Sequence, residues 1–312
     1  MGADGFVIRF LALVAARFRP RALLLLLRWF HNKGVFKNIQ TAWDPNWIRK
    51  HSSLCLPPNM AYLHGEGYKL WVDLNDHIGY RSFLKNEPFE MAVHAIASGL
   101  KIDSSGVILD NGANIGSASI PYCAQNGSVL IAIEDSRTNA AALCRNISSN
   151  QIRAHLHLVA LTNRQDEGKF LPLYARQGNS GANSLVSRWN PSVTDGESEL
   201  VPATTLDGLL DEETIQKIKL VKIDVEGAEY HVLSGASRFL KSNRAPILME
   251  YRQDAARKFL DSDMRDVPEL VCDRYPIVGL DQYFDEVSFD PSQSYENILL
   301  KPTPTPETGE RD

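Results

Sequence analysis

The chain is poor in the features that settle a class quickly. Its four cysteines, Cys55, Cys123, Cys144 and Cys272, include no CxxC pair and no histidine at zinc-finger spacing, which excludes a disulfide framework and a structural zinc site. They read as reduced thiols of a cytoplasmic protein, small fillers of an apolar interior. No uncharged apolar run reaches the ~20 residues of a membrane span. The closest approach, "GFVIRFLALVAARFRPRALLLLLRWF", is interrupted by Arg9, Arg17, Arg19, Arg21 and Arg28. A signal peptide needs positive charge ahead of its apolar run, and here that charge is Asp4. Gly2 lacks the hydroxyl residue at position six that myristoylation requires. With a net charge of −5, neither sign dominates enough to demand or forbid nucleic acid.

What charge there is lies unevenly. The first fifty residues hold nine Lys and Arg against Asp4 and Asp44, so the remainder is acidic. Residues 6–30 read as two basic, apolar helices broken at Pro20. They are suited either to packing on the rest of the chain or a second copy, or to lying peripherally on the anionic inner face of a membrane. The length accommodates one large domain with extensions. We divide it into a helical N-terminal extension (1–50), a preceding segment (51–105), a main domain (106–302) and a Pro- and Thr-rich flexible tail (303–312).

From about residue 105, short apolar stretches alternate with helical ones, the pattern of a parallel sheet with crossover helices. Strands are expected at Val107–Asp110, Val129–Glu134, His155–Leu161, Leu220–Asp224, Pro246–Tyr251 and Asn297–Pro302. Helices are expected at Ser117–Gln125, Arg137–Asn150, Gly227–Leu240 and Asp254–Leu260. The polar stretch from Gly168 to Pro202 reads as a long excursion over the sheet edge.

The stretch "VILDNGANIGSASI" runs a strand through Asp110 into a turn containing Gly112, Asn114 and Gly116. A strand, glycine turn and helix in series offer main-chain N–H groups and close backbone approach to a ligand, or serve only to pack helix on strand. Glu134 ends the next strand, twenty-two residues after Gly112, where an acid can accept both hydroxyls of a ribose. Together they point to a nucleoside cofactor. GxGxxG is missing, so the glycine that admits a dinucleotide pyrophosphate is absent. A nucleoside with an amino-acid end, S-adenosylmethionine, fits better.

"ILDNGANIGSASI", "AIEDSRTNAAALCRNI", "VALTNRQDEG", "VPATTLDGLL", "LVKIDVEGAEYHVLSGA" and "ILMEYR" occur in the order found in the FkbM-type S-adenosylmethionine-dependent methyltransferases, which this chain resembles from about Glu90 to Pro302. The resemblance implies the class I methyltransferase fold. That fold is Rossmann-like α/β, with a seven-stranded, mostly parallel sheet, helices on both faces and one antiparallel strand, here "ENILLKP". It implies cofactor binding by Glu90, Asp110, Gly112, Ala113, Asn114, Gly116, Glu134, Asp135, Ala160 and Asp224. It also sets Asp76, His77, Tyr80 and Arg81 on the substrate side, and makes "NSGANSL" either a lid or a plain edge loop. Two residues depart from the family pattern. Asn111 stands where Val or Ile is common, and Asp135 where Pro often follows the acid.

The fourth strand brings Asp224 to the carboxyl edge of the sheet, with Glu226 and Glu229 following and Glu250 arriving from the next strand. A hydroxyl attacking a sulfonium methyl benefits from positioning and from a carboxylate that takes its proton. The catalytic candidates are Asp224, Glu226 and Glu250, with Asp224 or Glu226 as the base; alternatively Glu226 and Glu229 only cap the helix. A Mg²⁺ held by Asp224 and Glu250 is a variant, and no metal is required. By resemblance the acceptor is a hydroxyl on a sugar, glycoconjugate or secondary metabolite, and not nucleic acid. The rival readings are a nicotinamide-linked oxidoreductase and a non-catalytic, membrane-associated cofactor-binding protein.

Overall fold

Every residue of Val107–Asn111 is buried, as in a strand covered on both faces. The computed structural model describes residues 60–176, 178–186, 198–252, 264–271 and 274–303. The N-terminal segment, Cys55, Cys272, the helix expected at 254–260 and the tail beyond Thr303 lie outside the described residues. In chain order the elements begin with β1 (Met60–Gly65), β2 (Tyr68–Asp73), α1 (His77–Lys85), α2 (Ala92–Gly99), β3 (Val107–Asn111), α3 (Ile120–Asn126), β4 (Val129–Glu134) and α4 (Arg137–Ser149). There follow β5 (Ala154–Leu158), β6 (Ala160–Leu161), β7 (Phe170–Tyr174), β8 (Ser198–Thr204), α5 (Leu206–Leu209), α6 (Glu212–Lys217) and β9 (Ile218–Ile223). The last are α7 (Glu229–Ser234), α8 (Ser237–Ser242), β10 (Ile247–Tyr251), α9 (Val267–Val271), β11 (Ile277–Leu280), β12 (Glu286–Ser288) and β13 (Tyr295–Leu300).

The main sheet runs β12-β11-β13-β10-β9-β3-β4-β5. Its β5, β4, β3, β9 and β10 are mutually parallel, while β13 is antiparallel to β10 and to β11. The antiparallel strand thus falls on "ENILLKP", as expected. Eight strands are present where seven were expected, because the three-residue, exposed β12 adds to the edge beside β11. Alternation along the strands feeds two cores. Leu109, Ile131, Val221 and Met249 join the one beneath α5 to α9, and Ile108, Leu130, Leu220 and Leu248 the one beneath α1 to α4.

Three expectations are refined. The strand expected at His155–Leu161 breaks at Val159: β5 stays in the main sheet and β6 pairs with β8. The helix expected at Gly227–Leu240 is two, α7 and α8, separated at Gly235, where a Cβ would lie 2.1 Å from the Thr162 carbonyl oxygen. In the Gly168–Pro202 excursion the described residues form β7 and most of β8, antiparallel to each other. β3 bonds to β4 on one side and β9 on the other, and there the chain reverses its direction of progress across the sheet. A crevice opens at such a point, outside the carboxyl ends of the strands.

Candidate active site

The turn after β3 has positive φ at Gly112 (79°), Asn114 (49°) and Gly116 (84°). A Cβ on Gly112 would lie 1.7 Å from the Asp224 carbonyl oxygen, and one on Gly116 within 2.8 Å of Ile120 and Leu143 side-chain carbons. Both glycines therefore answer to close packing of the chain on itself. The amides are not bare either. Gly112 and Ala113 donate to the Ile133 carbonyl, Gly116 to the Ala113 carbonyl, and Ile115 to the Asn114 side chain. Asn114 N–H donates to Glu134 Oε2 at 2.8 Å. The turn shapes the pocket wall and offers a ligand few free donors.

Glu134 is 4% exposed and lines the crevice with Gly112, Ala113, Asn114, Asp135 and Ala160. Its Oε1 accepts from Ser136 N–H and Asn139 Nδ2, both at 3.1 Å. Burial, and then the neighbouring Asp135, push its pKa up to about 8. Asn111 lines the same crevice and its Nδ2 has no partner among the described residues. Asp110 is fully buried and Gly116 packs against α3 and α4; neither reaches the crevice wall.

The floor is built around Lys222, 2% exposed. Its Nζ lies 3.0 Å from Asp224 Oδ2, 3.4 Å from Glu90 Oε2 and 3.8 Å from Asp110 Oδ1. One buried ammonium thus ties the preceding segment to the tips of β3 and β9. Strand alternation sets Lys222 and Asp224 on one face, but their shared partners were not legible from spacing. Burial pushes Glu90 up while Lys222 opposes it, and three carboxylates keep Lys222 above its ordinary value despite its burial.

Asp224 and Glu226 line the crevice, whereas Glu250, the third catalytic candidate, is not among its lining residues. Asp224, Glu229 and Glu250 offer carboxylate oxygens within 4.8 Å of one another. Glu229 spends its oxygens on the turn, accepting from Val225 N–H at 3.0 Å and from Gly227 N–H at 3.1 and 3.2 Å. Glu226 holds φ at 53°, uncommon for a residue with a Cβ, and its carbonyl accepts from Ser184 Oγ at 2.7 Å. Burial and then Asp224, Glu229 and Glu226 push Glu250 up to about 10, with Arg252 opposing.

Residues 178–186 form a strap across the crevice. Ser180 N–H donates to Asp76 Oδ2 at 2.6 Å, Asn139 Nδ2 to the Ser180 carbonyl at 3.2 Å, and His77 N–H to the Gly178 carbonyl at 2.9 Å. Asn179, Ser180, Gly181, Asn183 and Leu185 line the site, so the "NSGANSL" stretch is a wall of it. Asp76 caps α1 through Ile78 N–H. His77 and Phe89 line the mouth, while Tyr80 is buried in the core. Sequence reasoning set Lys222 on the side of Asp224 without giving it a role and placed Ser184 only within the "NSGANSL" stretch, and it did not single out Asn139. Only the mid-strand position of a lysine, unfavourable unless it is paired, could have flagged the role of Lys222.

The strand order and the crevice at the β3/β9 reversal define a class I methyltransferase fold. The model of the methyltransferase FkbM domain matches residues 110–274, more than half of the 312-residue chain, and the chain belongs to that family. A comparison with curated proteins gives no match. Among solved structures the chain is similar to a methyltransferase FkbM from Methylobacillus flagellatus, with 16% identity and a TM-score of 0.42 over 70% of this chain and 52% of that one. It is also similar to a tRNA (uracil-54, C5)-methyltransferase from Pyrococcus abyssi in complex with S-adenosyl-L-homocysteine (12%, 0.40, 80% and 45%). A third is an O-methyltransferase from Bacillus cereus (14%, 0.38, 68% and 79%). The chain spans about half the length of the first two.

Proposed function

We propose that the protein methylates a hydroxyl of a sugar, glycoconjugate or secondary metabolite, with S-adenosylmethionine as donor. The observation that carries this is Glu134, a carboxylate on the crevice wall beside the Gly112–Asn114 turn. The residues fit the donor. Glu134 Oε1 already accepts two hydrogen bonds, but Oε2 has one acceptor site beyond its bond to Asn114 N–H and can take a ribose hydroxyl, and Asn111 Nδ2 is a buried donor with no partner among the described residues. When bound, S-adenosylmethionine supplies a methyl group on a positively charged sulfur.

The chain's own residues orient and deprotonate the acceptor. Lys222 holds the Asp224 carboxylate in one direction, and the Ser184 bond holds the main chain of Glu226. Asp224 or Glu226 accepts the acceptor's proton as attack proceeds, which contributes typically about 10²–10⁴-fold. Burial and the neighbouring Asp224, Glu229 and Glu226 raise the Glu250 pKa, while Arg252 Nη1, 3.8 Å from its Oε1, opposes the shift. Asp224→Asn and Glu226→Gln should each abolish S-adenosylhomocysteine release on hydroxylated acceptors. If only Glu226→Gln spares donor binding in calorimetry, Glu226 is the base; wild-type turnover in both variants would remove the assignment. Turnover is expected to survive extensive chelation, since no step requires a metal.

A further inference from the structure

The crevice is electrically lopsided. Its floor holds Glu90, Asp224 and Glu226, and its far wall Glu134 and Asp135. The mouth is different. Phe89 is 42% exposed there, with the His77 ring 5.9 Å away edge-on and the Arg81 guanidinium 5.3 Å from the ring centre. Burial lowers the His77 pKa, and the charges of Arg81 and of Arg176, two residues before the strap, lower it further, against Asp76. Arg81 lies against Phe89, and Arg176 is two residues before Gly178, whose carbonyl accepts from His77 N–H at 2.9 Å, so both arginines flank the His77 end of the mouth. Asp76, which precedes His77, already has one oxygen on Ile78 N–H and the other on Ser180 N–H. Among the described residues no ion pair involves Arg81 or Arg176.

From this we infer that His77, Arg81, Arg176 and Phe89 form an anion subsite for the acceptor: a ring lies on Phe89 and its carboxylate or phosphate group meets the two guanidinium groups. The inference deepens the reading of the crevice as the methyl-transfer site and rests on it for the word acceptor. An exposed aromatic face flanked by cations suits a sugar ring with a negative substituent. The charge gradient then turns the molecule so that its anionic end stays at the mouth and a neutral hydroxyl enters among the floor carboxylates, which would repel a second negative group. The His77 ring can donate or accept a hydrogen bond at the edge of the bound ring.

The test is binding, measured apart from turnover. The full chain is titrated by calorimetry with glucose, glucosamine, glucuronate and glucose 6-phosphate, and S-adenosylmethionine is titrated separately. At least one anionic sugar should bind at least about tenfold more tightly than glucose, as charge-assisted hydrogen bonds allow, and glucosamine should gain nothing. Whether glucuronate or glucose 6-phosphate binds better tells carboxylate from phosphate. The double variant Arg81→Gln, Arg176→Gln should bring the anions down to the level of glucose, with melting temperature and S-adenosylmethionine affinity unchanged. The variant Arg81→Lys, Arg176→Lys should recover part of the difference. Equal binding of neutral and anionic sugars, no binding of either anion, or anion affinity unaltered in the Gln variant would overturn the subsite. Loss of S-adenosylmethionine binding with anion binding intact would overturn the transfer reading alone.

Discussion

At the scale of single residues, the electrostatics of the crevice make distinct predictions. Glu134 has a folded pKa of about 8 against an ordinary 4.5, so between those values the folded protein holds a proton that the unfolded chain releases. Its stability contribution is full below the lower value and is lost as pH rises through the upper one. A ribose hydroxyl donating to the carboxylate favours the anion. Donor binding near pH 7 should therefore release up to one proton and none above pH 9.5, read by calorimetry in buffers of different ionisation heat. Lys222→Met would leave Glu90, Asp110 and Asp224 without their cation. It should cost about 3–5 kcal/mol at pH 8 and less at pH 5, where the acids take up protons, in urea unfolding. Asn111→Val removes a buried donor that has no partner among the described residues and should be neutral or stabilise by about 1 kcal/mol, while weakening donor binding. Asp110 and Asp224 were legible from their places at strand tips, and Glu90 only through the family resemblance. The lysine among them was not, because its meaning comes from burial and from Glu90, 132 positions away in the chain.

At the scale of elements, the strands with uninterrupted apolar runs were the easiest to read. β3 and β4 follow "VILDN" and "VLIAIE" nearly to the residue. β7 and β8 were missed because Pro172 and Pro202 interrupt them; both prolines sit in a small sheet whose ladder is short enough to spare their missing N–H groups. The division of α7 from α8 follows from Gly235 meeting Thr162, a contact between distant parts of the chain. The strap is likewise a product of tertiary hydrogen bonds, with Asp76 serving both the cap of α1 and Ser180 N–H. Asp76→Ala should lower stability by about 1–2 kcal/mol and speed amide exchange at 178–184, measured by thermal melting and hydrogen exchange. Ser184→Ala, which frees the Glu226 carbonyl, should reduce kcat more than donor affinity.

At the scale of the whole molecule, alternation of strands and helices forecast the parallel sheet, and the position of "ENILLKP" its antiparallel member. The edge strands β11 and β12 were not forecast, being four and three residues long with little apolar pattern. No helix among the described residues is long and apolar enough to cross a membrane. For the basic N-terminal segment we propose peripheral contact with anionic lipid. The full chain should sediment with anionic vesicles and a chain lacking residues 1–35 should not; equally poor sedimentation of both would end that idea. The central claim is that the crevice at the β3/β9 reversal grips S-adenosylmethionine through Glu134. Its most direct measurement is a calorimetric titration of S-adenosylmethionine into the full chain and into its Glu134→Ala variant at matched melting temperature. One molecule should bind per chain, with affinity at least about tenfold weaker in the variant. Equal affinity in the two, or no binding to the unaltered chain, would contradict it.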